Sequence, residues 1–244
     1  MPRRIFVGDV HGHYAGLMSL FEEVAPDSAD QVYFVGDLID RGPQSSQVVD
    51  YVRQQGHSCV LGNHERLLLD ALTTKQGAGQ TLHAWLYSGG QSTLNSYNQD
   101  VDLLTRHIEW FRTLPLYLDL GDIWLVHAGI DPTLTVSEQT SEECCWIRDA
   151  FHSEPEPYFQ NKLILTGHTI TFTFPDIQPG QLVEGPGWLN IDTGAYHPKS
   201  GWLTALDIDN ELVHQFNVFE ATYRTRSLEE SCSPFTQGRR RIMA

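Results

Sequence analysis

Four things are scarce in this 244-residue chain, and each scarcity closes off a class of protein. Cysteine is the first: Cys59, Cys144, Cys145 and Cys232 are the whole set, two of them adjacent and none in a C-x-x-C pair. That pattern offers neither a disulfide framework nor a zinc–thiolate site; it is the pattern of reduced cytoplasmic thiols. Positive charge is the second, with 16 Lys and Arg against 31 Asp and Glu and a formal net charge of −15. Bulk attraction to DNA, RNA or anionic lipid is therefore excluded as a binding mode, so neither nucleic acid nor membrane is an expected partner. A chain this acidic that handles phosphate must supply positive charge locally, from single arginines or metal ions.

Long apolar runs are also missing. Met1-Pro2-Arg3-Arg4 leads straight into a strand of about four residues, too short for the core of a secretory signal, and no run approaches a membrane span. The expectation is a cytoplasmic protein. Internal repeats are absent too. With 41% hydrophobic and 19% charged residues the chain has ordinary globular composition and length for a full core. We expect one α/β domain over residues 1–219. Periodicity stops near residue 220, so 220–244, which carries Arg239-Arg240-Arg241, reads as a mobile tail.

What is present is a repeated layout: an apolar strand, a glycine, then a residue able to bind metal or move a proton. Val32-Tyr33-Phe34-Val35 breaks at Gly36 and runs into Asp37, Asp40 and Arg41, with Gly42-Pro43 placing a proline at the start of the next helix. Ile5-Phe6-Val7 ends in Gly8-Asp9-Val10-His11-Gly12, where residues two apart on an extended segment point to one side. Cys59-Val60-Leu61 leads into Gly62-Asn63-His64-Glu65, and Glu65 reads as the acidic first turn of a helix. Ile123 to Val126, the second strand of a hairpin, ends in His127, and Leu163-Ile164-Leu165 leads to Gly167-His168. Residues 77–113 read as helical, broken by Gly89-Gly90, with His83 and His107 as surface or packing residues. Gln181–Glu184, Trp188–Ile191 and Trp202–Asp207 read as consecutive antiparallel strands, with Leu212–Phe219 as the last strand. Ligands in open α/β sheets sit beyond the C-terminal strand ends, so these residues should converge.

Asp9, His11, Asp37, Asn63, His127 and His168 make two carboxylates, three imidazoles and an amide. Two divalent metals sharing one carboxylate would use all six. Carboxylate plus imidazole suits Mn, Fe or Zn better than Mg or Ca. A metal pair of this kind stabilises the attacking and leaving oxygens of a displacement at phosphorus. His64 adds a proton donor, and two arginines suit a tetrahedral oxyanion.

Gly-Asp-x-His-Gly at 8–12, Gly-Asp-x-x-Asp-Arg-Gly at 36–42 and Gly-Asn-His-Glu at 62–65 resemble the signature of the PPP-type serine/threonine protein phosphatases. His-Ala-Gly at 127–129 and Gly-His-Thr at 167–169 match later ligand positions, and Gly89-Gly90 and Trp146-x-Arg148 look like the compact bacterial and phage members. The resemblance runs from about residue 5 to 210 and implies an α/β sandwich of two mixed β-sheets flanked by helices. It implies that Asp9 and His11 hold one metal and Asn63, His127 and His168 the other, with Asp37 bridging and Mn2+ the first choice. It further implies direct attack on phosphorus by a metal-bridging hydroxide. His64 would be the acid, oriented by Asp40, with Arg41, Arg148 and Asn63 on the phosphoryl oxygens. The expected substrate is then phosphoserine or phosphothreonine, or phosphotyrosine, in a protein or peptide. A rival on the same motifs is bis(5'-nucleosyl)-tetraphosphate hydrolysis. Its symmetrical type usually lacks the counterpart of Asp40 and reads Asn-His-Asp where this chain has Asn63-His64-Glu65.

Overall fold

Alternation of side chains along the strands sorts the apolar residues into three layers. The computed structural model describes residues 2–73 and 78–236. In chain order it places β1 (Arg4–Val7), α1 (Tyr14–Val24), β2 (Gln31–Phe34), α2 (Ser45–Gln54), β3 (Ser58–Cys59), α3 (Asn63–Thr73), α4 (Ala78–Trp85), α5 (Gln91–Ser96) and α6 (Val101–Phe111). The second half holds β4 (Tyr117–Asp119), β5 (Ile123–Val126), α7 (Ser141–Trp146), α8 (Asp149–His152), β6 (Leu163–Thr166), β7 (Leu182–Gly185), β8 (Trp188–Asn190), β9 (Trp202–Asp207), β10 (Leu212–Asn217), β11 (Thr222–Ser227), α9 (Leu228–Ser231) and β12 (Cys232–Pro234).

These strands form two six-stranded mixed sheets, ordered β11-β10-β9-β1-β2-β3 and β12-β7-β8-β6-β5-β4. Phe6, Tyr33 and Val35 face one way and meet Ile123, Leu125, Leu165 and Leu189 of the second sheet. Ile5, Val7, Val32 and Phe34 face the other way, under Leu17 and Leu20 of α1 and Val48, Val49 and Val52 of α2. Trp124, Val126, Ile164 and Trp188 pack outward against Cys144 and Phe151. The result is a single-domain sandwich of two mixed sheets flanked by helices, as expected. Within each sheet three neighbouring strands run parallel, β1-β2-β3 in one and β5-β6-β8 in the other. That geometry brings the six strand ends to one rim.

Three local expectations change. The segment Trp202–Asp207 does not continue the hairpin of β7 and β8; β9 crosses to the other sheet and pairs antiparallel with β1 and β10. Pro43 does not open a helix, because α2 starts at Ser45 with Gln44 as its N-cap. The boundary at 219 also moves. β11 pairs along its whole length with β10, and β12 adds a parallel strand to β7, so 222–234 belongs to the domain. Arg224 lies over the Trp202 ring at 3.8 Å, and its side chain donates to Gly180 O and Gln215 Oε1. Residues 237–244, including the three arginines, lie outside the described residues.

Truncation after residue 219 would strip an edge strand from each sheet. We expect the shortened chain to melt lower by roughly 5 °C or more, since about 2 kcal/mol shifts a domain of this size by that much. Thermal unfolding followed by circular dichroism checks this; an unchanged midpoint would return 220–236 to the status of a tail.

Candidate active site

Asp37 stands at the centre. It follows β2, is 2% exposed, and lies between imidazoles from both sheets. His11 Nε2 is 3.6 Å from its Oδ2, and His127 Nε2 is 3.4 Å from its Oδ1. Two sets of side chains could each hold a cation: His11, Asp37 and His64, and Asp37, His127 and His168. Asp37 is common to both, as the shared carboxylate of the sequence reading requires. Asn63 Oδ1 lies 2.9 Å from His127 Nε2 and from His168 Nδ1, within the second set. Asp9 stands beside them rather than in either set, and its carboxylate accepts the His168 N–H at 3.1 Å.

The imidazoles are preset by their backbone partners. His11 Nδ1 is 2.9 Å from Ile39 O, and His127 Nδ1 is 2.8 Å from Val35 O. A carbonyl can only accept, so both rings carry the proton on Nδ1 and turn Nε2 toward Asp37. His168 Nε2 is buried without a hydrogen-bond partner. Burial, and then the neighbouring His64, holds His11 well below the usual histidine range; burial and His127 do the same to His168. Neutral imidazoles are what a cation needs. Burial raises Asp9 well above the carboxylate range, with Asp192 and Asp37 adding to it, and pushes Asp192 up to about 7. Buried acids crowded together with neutral, preoriented imidazoles and one orphaned ring nitrogen fit a divalent pair.

The backbone here is strained. His11, Asp37, Asp40, Arg41 and His168 all have φ between 46° and 71°, a left-handed region that non-glycine residues enter only when their surroundings hold them. Glu65 does much of the holding. Fully buried, it accepts from the N–H groups of Asp37 (3.0 Å), Leu38 (2.8 Å), Ile39 (3.3 Å) and Gly62 (3.2 Å). Its place in the first turn of α3 was legible; its grip on the Asp37 loop was not. Gly62 has no room for a side chain, since a Cβ would lie 2.3 Å from Asp37 N and Oδ1. Glu65→Ala orphans four buried donors, each costing about 1–3 kcal/mol. We expect a loss of about 3 kcal/mol or more, read from urea unfolding of metal-free protein; a shift under about 1 kcal/mol would remove Glu65 from this role.

His64 and Asp40, read from the sequence as an acid and its orienting partner, are in contact. His64 Nδ1 lies 2.7 Å from Asp40 Oδ2, and both residues are buried. Burial lowers the His64 pKa, but Asp37 and the bond to Asp40 outweigh it and the net shift is upward. Arg41 Nη2 is 3.2 Å from His64 Nε2, and the Arg41 guanidinium stacks 4.0 Å from the Tyr196 ring. Arg148 Nη1 donates to Thr169 Oγ1 at 3.0 Å. A cavity of about 150 Å³ is lined by Arg41, Arg148, His11, Asp37, Asn63, His64 and His168, so both arginines face the ligand set. Every residue expected at the site is within this neighbourhood.

Four lining residues were not anticipated, Ile170, Thr173, Asp192 and Tyr196. Asp192 follows β8, the sixth parallel strand end, and the rule that located the other five would have found it. Tyr196 also sets its ring edge-on to His11, with centroids 4.6 Å apart; no local signal marks it. His13 occupies the N-cap position of α1, His107 is buried 2.8 Å from the Tyr97 hydroxyl, and His83 is exposed.

Comparison with known proteins narrows the family. A symmetrical bis(5'-nucleosyl)-tetraphosphatase of Methylococcus capsulatus is 38% identical over 129 residues, covering 52% of this chain and 42% of that protein. The match thus spans less than half the length of the relative. A solved structure described as a candidate diadenosine tetraphosphatase superposes with a TM-score of 0.60 at 21% identity, covering 93% of this chain and 96% of that one. A protein serine/threonine phosphatase from Saccharomyces cerevisiae superposes at 0.55 with 15% identity, covering 85% and 73%. Both structural likenesses speak to the fold alone. A second relative, from Aromatoleum aromaticum, is described in the same words and is 34% identical over 132 residues, covering 53% of this chain and 45% of that protein. Residues 2–187 match the calcineurin-like phosphoesterase profile, most of the chain's length, and the chain belongs to that family of metal-dependent phosphoesterases.

Proposed function

We propose that this chain hydrolyses a phosphate anhydride or ester at a two-metal site, and that a symmetrical dinucleoside tetraphosphate is its substrate. One observation carries the reaction class: Asp37 is shared by two ligand sets that face the same cavity as Arg41, Arg148 and His64. The relatives named for that hydrolysis support this choice of substrate. Asp37, His11, Asp9, Asn63, His127 and His168 would hold the cations, with manganese favoured and iron or zinc compatible with the same ligands. When bound, such ions supply Lewis acidity toward phosphoryl oxygens and a water that ionises near neutral pH.

The chain's own residues do the rest. Arg41 and Arg148 offer planar forks to the non-bridging oxygens, and Tyr196 fixes the plane of the first. His64 keeps its Nδ1 proton on Asp40 and presents Nε2 to the cavity, from which the leaving oxygen takes a proton as its bond to phosphorus breaks. Water supplies the replacing oxygen, so a symmetrical tetraphosphate yields two nucleoside diphosphates.

A second reading, the phosphomonoester of a protein serine, threonine or tyrosine, is favoured by the Asp40–His64 pair itself. A nucleoside diphosphate is a weak base and leaves readily. A serine alkoxide is a strong base and needs a proton delivered. The test is side-by-side hydrolysis by metal-stripped protein reloaded with Mn2+. Diadenosine tetraphosphate is expected to be cleaved with the higher kcat/KM, releasing ADP. A higher value on phosphoserine, phosphothreonine or phosphotyrosine peptides would make the second reading the better one, and turnover of none would remove both.

A further inference from the structure

Asp40 is held by more than His64. It is fully buried and, among the described residues, makes no ion pair with an arginine or lysine. Its carboxylate instead meets two neutral donors from a distant segment. Trp85 Nε1 donates to Oδ1 at 3.1 Å and to Oδ2 at 3.0 Å, and Thr93 Oγ1 donates to Oδ1 at 2.6 Å. The Asp40 N–H in turn donates to Thr93 Oγ1 at 2.9 Å and to Ser45 Oγ at 3.1 Å. Trp85 is 1% exposed and Thr93 fully buried.

Both donors come from the helical stretch 78–96, which contributes no metal ligand. Trp85 ends α4 and Thr93 lies in α5, with a kink at Gly89 in the turn Leu86–Gly90 between them. An uninterrupted α-helix would carry these residues, eight apart, to positions more than two turns apart. Here Gly89, at φ 113°, breaks the helix and turns its carbonyl to the Arg41 N–H at 3.3 Å. Gly90 lies against the indole, where a Cβ would come within 2.4 Å of the ring. The break therefore serves both Asp40 and Arg41.

We propose that Trp85 and Thr93 are positioning residues of proton delivery: they occupy Asp40 Oδ1 and one side of Oδ2, leaving the other side of Oδ2 for His64 Nδ1. The orientation of the imidazole is then set from the 78–96 segment as well as from its own helix. Without the two donors, the Asp40 carboxylate turns freely about its Cβ–Cγ bond and His64 loses its fixed partner. This inference rests on His64 acting as the proton donor.

The experiment uses Trp85→Phe and Thr93→Val, which keep shape and remove one donor each. With Mn2+ supplied, kcat is measured on p-nitrophenyl phosphate, whose leaving group needs little help, and on phenyl phosphate, whose leaving group needs a proton. Each variant is expected to lose about tenfold more on phenyl phosphate, a fraction of what a general acid contributes. In metal-free protein, the low-field Nδ1 proton of His64 is expected to broaden or move upfield in both. Equal losses on the two esters with that resonance unmoved would mean a packing role only, and would overturn the proposal. Thr93→Val is read alone if Trp85→Phe does not fold. His64→Ala separates the two claims. If it fails to discriminate between the esters, the role of His64 falls and this inference with it. If it discriminates and the two positioning variants do not, only this inference falls.

Discussion

Asp37→Ala is expected to abolish turnover and to strip both cations in one step. The residue belongs to each of the two ligand sets, so no single-site version of the centre survives its loss. Removing a partner of a metal-bound histidine costs about 10–100-fold in affinity or activity. A ligand shared by two ions should exceed that range at both. Asp37 is held well below the carboxylate range against the cost of its burial, with the His64 backbone N–H donating to its Oδ1 at 3.0 Å, so it is the ionised acid of the group. Asp9 and Asp192, pushed upward, are poor substitutes. Metal content after Mn2+ loading and gel filtration, beside kcat, provides the check. A variant that retains two equivalents of metal and wild-type turnover would remove Asp37 from the bridging position.

His64→Ala is expected to lower kcat by about 10²–10⁴-fold on phenyl phosphate, the range of a general acid, and by far less on p-nitrophenyl phosphate. Metal content should stay at the wild-type level. That second readout decides a real ambiguity, because His64 lies close enough to His11 and Asp37 to complete a ligand set. Its Nδ1 is committed to Asp40, and Nε2 lies 3.9 Å from Asp37 and 3.2 Å from Arg41. A cation on Nε2 would leave that nitrogen no proton to give, so His64 is either a ligand or the acid. Loss of metal on mutation would make His64 a ligand and take the acid role away from it.

The strand ends were legible because each repeats one physical pattern. Ile5–Val7, Tyr33–Val35, Ile123–Val126 and Leu163–Leu165 are too apolar to be anything but buried, and the glycine after each marks where the chain leaves the sheet. Pairing was less legible. Trp202–Asp207 looks locally like a neighbour of Trp188–Asn190, yet it fills the gap between β1 and β10. Nothing within a strand names its partner when both candidates alternate alike. The stretch Thr222–Ser227 was missed for a related reason: its Tyr223 lies on one face and Arg224 and Arg226 on the other, so an edge strand forms there with no apolar run to mark it. The residues around Asp40 and Arg41 were hidden by distance. Trp85 reads as one more core aromatic on a helix, and its indole N–H finds its acceptor 45 positions away.

The place of β9 sets a timetable for activity. β1 carries Asp9 and His11 on its trailing loop, yet one of its two neighbours is built from residues 202–207. A chain growing from its N-terminus therefore displays the Asp37, Asp40 and His64 segment early, with the strand beside it still unpaired. His127 and His168 arrive some hundred positions later, and β9 later again. Long-range closure of this kind is slow relative to local helix formation. The site is thus complete only once residues 202–207 have been made, and a polypeptide released before β9 carries nearly every one of these side chains without the wall that holds them in register.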